Sequence, residues 1–159
     1  MGIRKSQDKS EKPKKNHISY SEIKTWSECP LRHKLSYIDG LDDFKGNLHT
    51  AFGSAIHSVC EHGLLNEGLD RDKHFLKEFN KEIISLEKKE VEIDTKLKEQ
   101  MMGQYKPLIN NFRDYLDKYF VDCEVVATEE MLYEPIEGLN LNFKGFIDLI
   151  VKTEDGKYH

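Results

Sequence analysis

The sequence predicts an α+β chain, a run of helices to about residue 120 followed by a β-hairpin over residues 122–153. Three observations predict it. From Ile18 to Leu116 apolar residues recur three or four positions apart, the spacing that places them along one face of a helix. The period then shortens, with β-branched and aromatic residues gathered into 123–134 and 141–152. Between those two runs Pro135, Glu137, Gly138 and Asn140 have the composition of a tight turn.

The 159 residues, 38% of them hydrophobic, suffice for one core but not for two substantial ones. Eight Phe, seven Tyr and one Trp exclude a chain that is solvated along its whole length. No stretch approaches the roughly 18 uncharged residues of a membrane span, and the first thirty residues lack the apolar centre of a signal peptide. A cytoplasmic protein with no membrane partner is expected. Cys29, Cys60 and Cys123 are odd in number and widely spaced, which fits reduced thiols better than a disulfide framework or a four-thiolate metal site. The net charge of -5 hides an asymmetry, because residues 1–16 carry six Lys or Arg against Asp8 and Glu11. That segment has almost nothing to bury and reads as a flexible basic arm, either a solvated tail or a contact for phosphates.

The ordered part, 17–159, is expected to begin at His17. Ser19 followed by Glu22 is a capping box, with Ile18 and Ile23 as its hydrophobic staple, so a helix over about 20–28 follows. Pro30 suits the first turn of a second helix, in which Leu31, Leu35 and Ile38 share one face and Gly40 ends the run. A polar loop through Asp42 and Asp43 leads to a third helix with a stripe of Phe52, Ile56, Val59, Cys60 and Leu64. Phe75, Phe79, Ile83 and Leu86 mark a fourth helix after Asp70. Leu97, Met101, Leu108, Ile109, Phe112 and Leu116 mark a long fifth one, which Pro107 should kink or divide. After the hairpin, Glu154-Asp155-Gly156 turns the chain towards a third strand of which only Lys157, Tyr158 and His159 remain.

Two residues stand out from the apolar pattern. Asp148 lies in Phe146-Ile147-Asp148-Leu149-Ile150-Val151, a strand both of whose faces look buried. A carboxylate there needs a cation, a metal or a hydrogen-bond donor to compensate its burial, so it is a salt-bridge partner, an edge-exposed residue or a metal ligand. His57 shares one side of the third helix with Gly53 and Glu61. It is either a packed or surface histidine or a functional one, the missing side chain of Gly53 leaving room for a close approach. His62 and His74 show no such companions and are read as surface residues. Cys29 is read as a small core residue.

Three segments, taken in order, resemble the RecB/AddB-like exonuclease branch of the PD-(D/E)XK nuclease superfamily, which includes CRISPR-adaptation nucleases and phage exonucleases. They are Ile18-Ser19-Tyr20-Ser21-Glu22-Ile23 with Trp26 and Cys29-Pro30, then Ala51-Phe52-Gly53-Ser54-Ala55-Ile56-His57, and Phe143-Lys144-Gly145-Phe146-Ile147-Asp148-Leu149-Ile150. The resemblance implies a restriction-endonuclease-like sheet, incomplete at the C-terminus, and a metal-dependent DNA exonuclease of recombination, repair or phage DNA processing. Its partner would be DNA, as single strands or duplex ends. It implies His57 and Asp148 as catalytic metal ligands, with Gly53 and Gly145 in support and a glutamate from the hairpin, either Glu129 or Glu130. Oxygen ligands suit Mg²⁺ or Mn²⁺, and the histidine nitrogen favours Mn²⁺ somewhat. Lys24, Arg32 and Lys34, beside His33, would contact DNA.

The resemblance also implies an acidic residue, one spacer and a lysine on the next strand. Asp155-Gly156-Lys157 matches literally but falls in a turn, so this chain alone is expected to cleave little or nothing unless a further C-terminal segment or a partner chain completes the site. Iron–sulfur relatives use a cysteine at the Cys-Pro position plus three more near the C-terminus. Cys29 alone matches, so no cluster is expected within this chain. The alternative is a non-catalytic nucleic-acid- or partner-binding module that keeps the fold.

Overall fold

The computed structural model describes residues 15–41 and 44–159, in the order β1 (His17–Ser19), α1 (Tyr20–Glu28), α2 (Pro30–His33), a π-helical turn (Lys34–Ile38), α3 (Leu48–Leu65), α4 (Arg71–Lys88), α5 (Thr95–Tyr119), β2 (Glu124–Pro135) and β3 (Asn142–Lys152). Most of the expected basic arm, and Asp42 and Asp43 of the expected loop, lie outside the described residues. The fold is α+β, helices followed by a three-stranded sheet in the order β1-β3-β2. Among the described residues no helix is long and apolar enough to cross a membrane. The chain divides into two units, one holding the described residues up to Gly40 with Leu132–Gly145, the other Leu41–Met131 with Phe146–His159.

The second unit contains the main core, and each of its helices starts on a side chain that satisfies free amides. Asn47 and Thr50 cap α3 reciprocally, Asn47 Oδ1 accepting from the Thr50 amide at 3.0 Å and Thr50 Oγ1 from the Asn47 amide at 2.9 Å. Asp70 and Asp94 do the same for α4 and α5. Phe75, Phe79, Ile83 and Leu86 are all buried, as their spacing predicts. Phe75 lies flat on Tyr105 at 4.2 Å between ring centroids, and Phe52 meets Phe75 and Phe79 edge-on. Truncating a buried phenylalanine of this kind to alanine costs about 3–5 kcal/mol.

Three expectations for these helices are corrected. The buried line of α3 is Leu48, Ala51, Ala55, Val59 and Gly63, turned slightly from the predicted stripe, and Phe52 and Ile56 flank the core only partly buried. Small residues lie deepest because α3 packs closely: a Cβ on Gly63 would meet Phe112 Cζ at 3.2 Å. On α5 the deep residues are Met101, Tyr105 and Ile109, and Leu108 is exposed. Pro107 does not divide α5, which runs unbroken for 25 residues. Pro107 and the residue one turn before it, Gly103, both face solvent, so the carbonyl that loses its helical donor can turn to water.

In the first unit β1 lies parallel to β3, with His17, Ile18 and Ser19 opposite Asn142, Phe143 and Lys144. This strand is absent from the sequence reading, three residues being too few to display a period of two. Only half of the predicted capping box forms. Ser19 Oγ accepts from the Glu22 amide at 3.2 Å, but the Glu22 carboxylate turns to Lys15 and to His33 Nε2, the latter at 3.2 Å. Leu31, Leu35 and Ile38, expected as a packed stripe, are exposed, because α2 gives way after four residues to the π turn, which advances its side chains by a different angle. Gly40, at φ 68°, ends the run as predicted. Cys29 is exposed rather than in a core, and its Sγ accepts from the Arg32 amide at 3.4 Å.

The hairpin turns where its composition indicates, with Gly138 at φ 77° and the Ile136 amide on Leu141 O at 3.0 Å. Beyond β3 the chain reverses at Gly156, φ 81°, and pairs antiparallel with it, Tyr158 opposite Lys152 and Val151 exchanging two backbone bonds with His159.

Glu22 carries a pH dependence. Burial would raise its carboxyl, but the bonds from Lys15 and His33 outweigh it and hold the group below its ordinary 4.5. A depressed carboxylate contributes stability that is present above the unfolded value and lost as pH falls through the folded one. Urea midpoints of the wild type and Glu22→Gln should therefore differ most at neutral pH and converge below 4.5; a gap that persists in acid would contradict the pairing.

Candidate metal centre

His57, Glu129 and Asp148 come from three elements of the second unit, and each offers one ligand atom within 4.8 Å of the others. They are the one such group of three among the described residues. His57 projects from the outer side of α3, two residues before the fully buried Val59. Its Nε2 lies 2.7 Å from Glu129 Oε1, a hydrogen bond in which the ring N–H donates to the carboxylate. Asp148 sits on β3 with Leu149 beside it in the same cavity.

Glu129 reaches His57 through its backbone. It has φ 53°, left-handed geometry in the middle of a twelve-residue strand. Along β2 the sheltered positions are odd-numbered at Val125 and Ala127 but even-numbered at Leu132, so the alternation slips by one at this residue. A side-chain-bearing residue held there costs about 1–3 kcal/mol, and such strain gathers at functional sites. Glu130, its neighbour, is exposed and outside the cluster. Of the two glutamates, Glu129 is the one that lies with His57 and Asp148.

Asp148 is exposed, as is Phe146 two residues earlier, so the expected burial on both faces of β3 is corrected. Phe146 and Asp148 fall on the same side of β3, and both side chains reach solvent. Gly53 keeps its place one turn before His57, yet nothing described lies within 4 Å of where its Cβ would be. A Cβ on Gly145 would make only an ordinary 3.5 Å contact with Phe143.

The arrangement fits a small divalent cation. Ligand atoms 2.0–2.1 Å from an ion stand roughly 3–4.2 Å apart, so a spread within 4.8 Å closes by small rotations of partly exposed side chains. The donor set is two carboxylates and one imidazole, which suits a hard or borderline ion. Cys60 lines the adjoining cavity, but burial pushes its thiol up, against a weaker opposing influence from Arg71, so it remains a poor ligand at neutral pH.

That cavity, of about 300 Å³, lies between α3, α5 and β3. Its floor is aromatic, from Phe112, Tyr115 and Tyr119, and Glu61 reaches it from α3 one turn beyond His57. Arg71 stacks on Phe112 at 4.7 Å and fixes that ring. Tyr115 and Tyr119 escape the sequence reading, though they stand three and seven residues after Phe112, where a helical face continues. His62 and His74 are not isolated: their rings lie 4.9 Å apart, and both reach Ser58, His74 through its hydroxyl at 2.9 Å and His62 through its carbonyl at 2.8 Å.

The expected DNA contacts belong to the first unit. Lys24 Nζ is 4.0 Å from Glu28, Lys34 Nζ 2.5 Å from Asp39, and Arg32 is exposed. Lys157 is held by Asp155 within the turn, which also accepts from Thr153.

A family model of the PD-(D/E)XK nuclease superfamily matches residues 17–159. Neither the curated proteins nor the solved structures compared with the chain give a match.

Gly53 lies exposed in mid-helix with open space around it, so Gly53→Ala should raise stability by about 0.5–1 kcal/mol. Urea denaturation measures this, and destabilisation would mean that a neighbour approaches Gly53 after all.

Proposed function

Because the chain belongs to the PD-(D/E)XK nuclease superfamily, we propose that it is a divalent-metal-dependent deoxyribonuclease whose ion is held by His57, Glu129 and Asp148. The observation that carries this reading is the convergence of three ligand atoms from three separate elements, one of them delivered by a strained backbone. Mg²⁺ or Mn²⁺ suits the donor set, and the imidazole inclines it towards Mn²⁺. A bound divalent ion neutralises charge on a phosphodiester and makes water acidic enough to attack it. The residues of the chain hold the reacting group in place. Glu129 and Asp148 supply the negative charge that would retain a cation, and an ion bound between His57 Nε2 and Glu129 would take the place of the hydrogen bond that joins them. The order of motifs, from Cys29-Pro30 to Asp148, supports an exonuclease of the RecB/AddB-like type, acting in recombination, repair or phage DNA processing.

A second reading, a nucleic-acid-binding module of the same fold without cleavage, draws on one observation. The Asp155 and Lys157 side chains are engaged with each other in the turn, so the literal acid-x-Lys match is not directed at the triad. Calorimetric titration with Mn²⁺, alongside digestion of labelled single- and double-stranded DNA, separates the two. Under the nuclease reading His57→Ala, Glu129→Gln and Asp148→Asn each weaken Mn²⁺ binding by more than about ten-fold. Any cleavage disappears with those substitutions and with EDTA, while DNA binding persists. Metal binding that survives all three substitutions would sink it.

A further inference from the structure

The apolar stripe of α5 outruns its packing partners. Met101, Tyr105 and Ile109 are buried against the core, but the same face continues through Phe112, Leu116 and Tyr119 into the open cavity beside the triad. Tyr115 and Tyr119 are 61% and 75% exposed. Among the described residues no Lys or Arg lines this cavity, so a second phosphate would meet no cation there and would face the carboxylates of Glu61 and Asp148. The formal charge of -5 likewise offers little general attraction for a polyanion. A planar group with apolar faces and a polar edge suits the cavity far better.

We propose that Tyr115 and Tyr119 form a base-stacking subsite next to the metal triad, taking an unpaired nucleobase adjacent to the phosphodiester held there. This rests on the nuclease reading and makes the substrate a single-stranded or frayed end rather than continuous duplex. Inside a duplex the base faces are covered and the pairing edges occupied, so a base enters such a cavity only after unpairing and unstacking. Stacking on tyrosine tolerates any sequence, because every base has a π face. Glu61, at the cavity wall, can accept from the exocyclic amino group of cytosine or adenine.

The test uses the whole chain, with Tyr115→Leu and Tyr119→Leu and their Phe counterparts. The probe is a short oligonucleotide carrying 2-aminopurine and a phosphorothioate backbone that resists cleavage, offered as single-stranded DNA, single-stranded RNA and blunt duplex DNA, both with Mg²⁺ and in EDTA. Both tyrosines lie outside the buried core, and thermal melts check that each variant is folded. The expected result is single-strand binding with quenching of the 2-aminopurine, at least about ten-fold tighter than duplex. Each Leu variant loses the quenching and weakens binding by roughly five-fold to one-hundred-fold, and the Phe variants retain both. A preference between the DNA and RNA strands identifies the sugar and supports the subsite either way. Equal binding of duplex and single strand, Leu variants that bind as the wild type does, or no binding of any probe would overturn it. A parallel Mn²⁺ titration separates the two readings: tyrosine-dependent binding without a metal at the triad leaves the subsite standing and removes the nuclease. Metal binding with indifferent tyrosines does the reverse.

Discussion

The candidate centre depends on the left-handed backbone of Glu129. With ordinary strand geometry, residues alternate between the faces of β2 and a one-residue change of register exchanges them. The slip at Glu129 turns its carboxylate to His57 Nε2, 2.7 Å away, and leaves Glu130 outside the cluster. The conformation costs about 1–3 kcal/mol wherever it occurs outside glycine. The packed helices of the second unit and the pairing of β2 with β3 supply the stability against which that strain persists.

Helix α3 links the core to the site because its two sides have different chemistry. Ala51, Ala55, Val59 and Gly63 are small enough for α4 and α5 to approach closely, which fixes the axis of the helix. His57 and Glu61 then project from a rigid rod rather than a loop. Helix α5 divides its work along its length: the first half completes the core around Tyr105, the second presents Phe112, Tyr115 and Tyr119 beside the triad. A candidate cation site bordered by an aromatic wall follows from those two helices and β3.

Long periodic elements were legible in the sequence. Asp70 and the four apolar residues after it place α4 and its buried face correctly, and the turn residues place the hairpin. Features decided by tertiary context were not. Strand β1 exists because β3 offers it an edge, and Glu22 leaves its capping role because its carboxylate pairs with Lys15 and His33. Pro107 passes through α5 because that side of the helix faces water. At the candidate site, His57 and Asp148 were visible as polar residues inside apolar runs. The burial inferred for Asp148 failed because apolar composition on both faces of a strand does not guarantee two covering layers. Glu129 could not be separated from Glu130 by any rule of spacing, since a positive φ angle, which a pattern of two does not encode, accompanies its place beside His57.

The most direct test of the metal centre is a crystal structure grown with Mn²⁺, with anomalous scattering measured at the manganese edge. A centre held by these residues gives one strong anomalous peak within coordination distance of His57 Nε2 and the Glu129 and Asp148 carboxylates, with Glu129 still at positive φ. A peak bound through Glu130, or no peak among these three residues at saturating Mn²⁺, would contradict it.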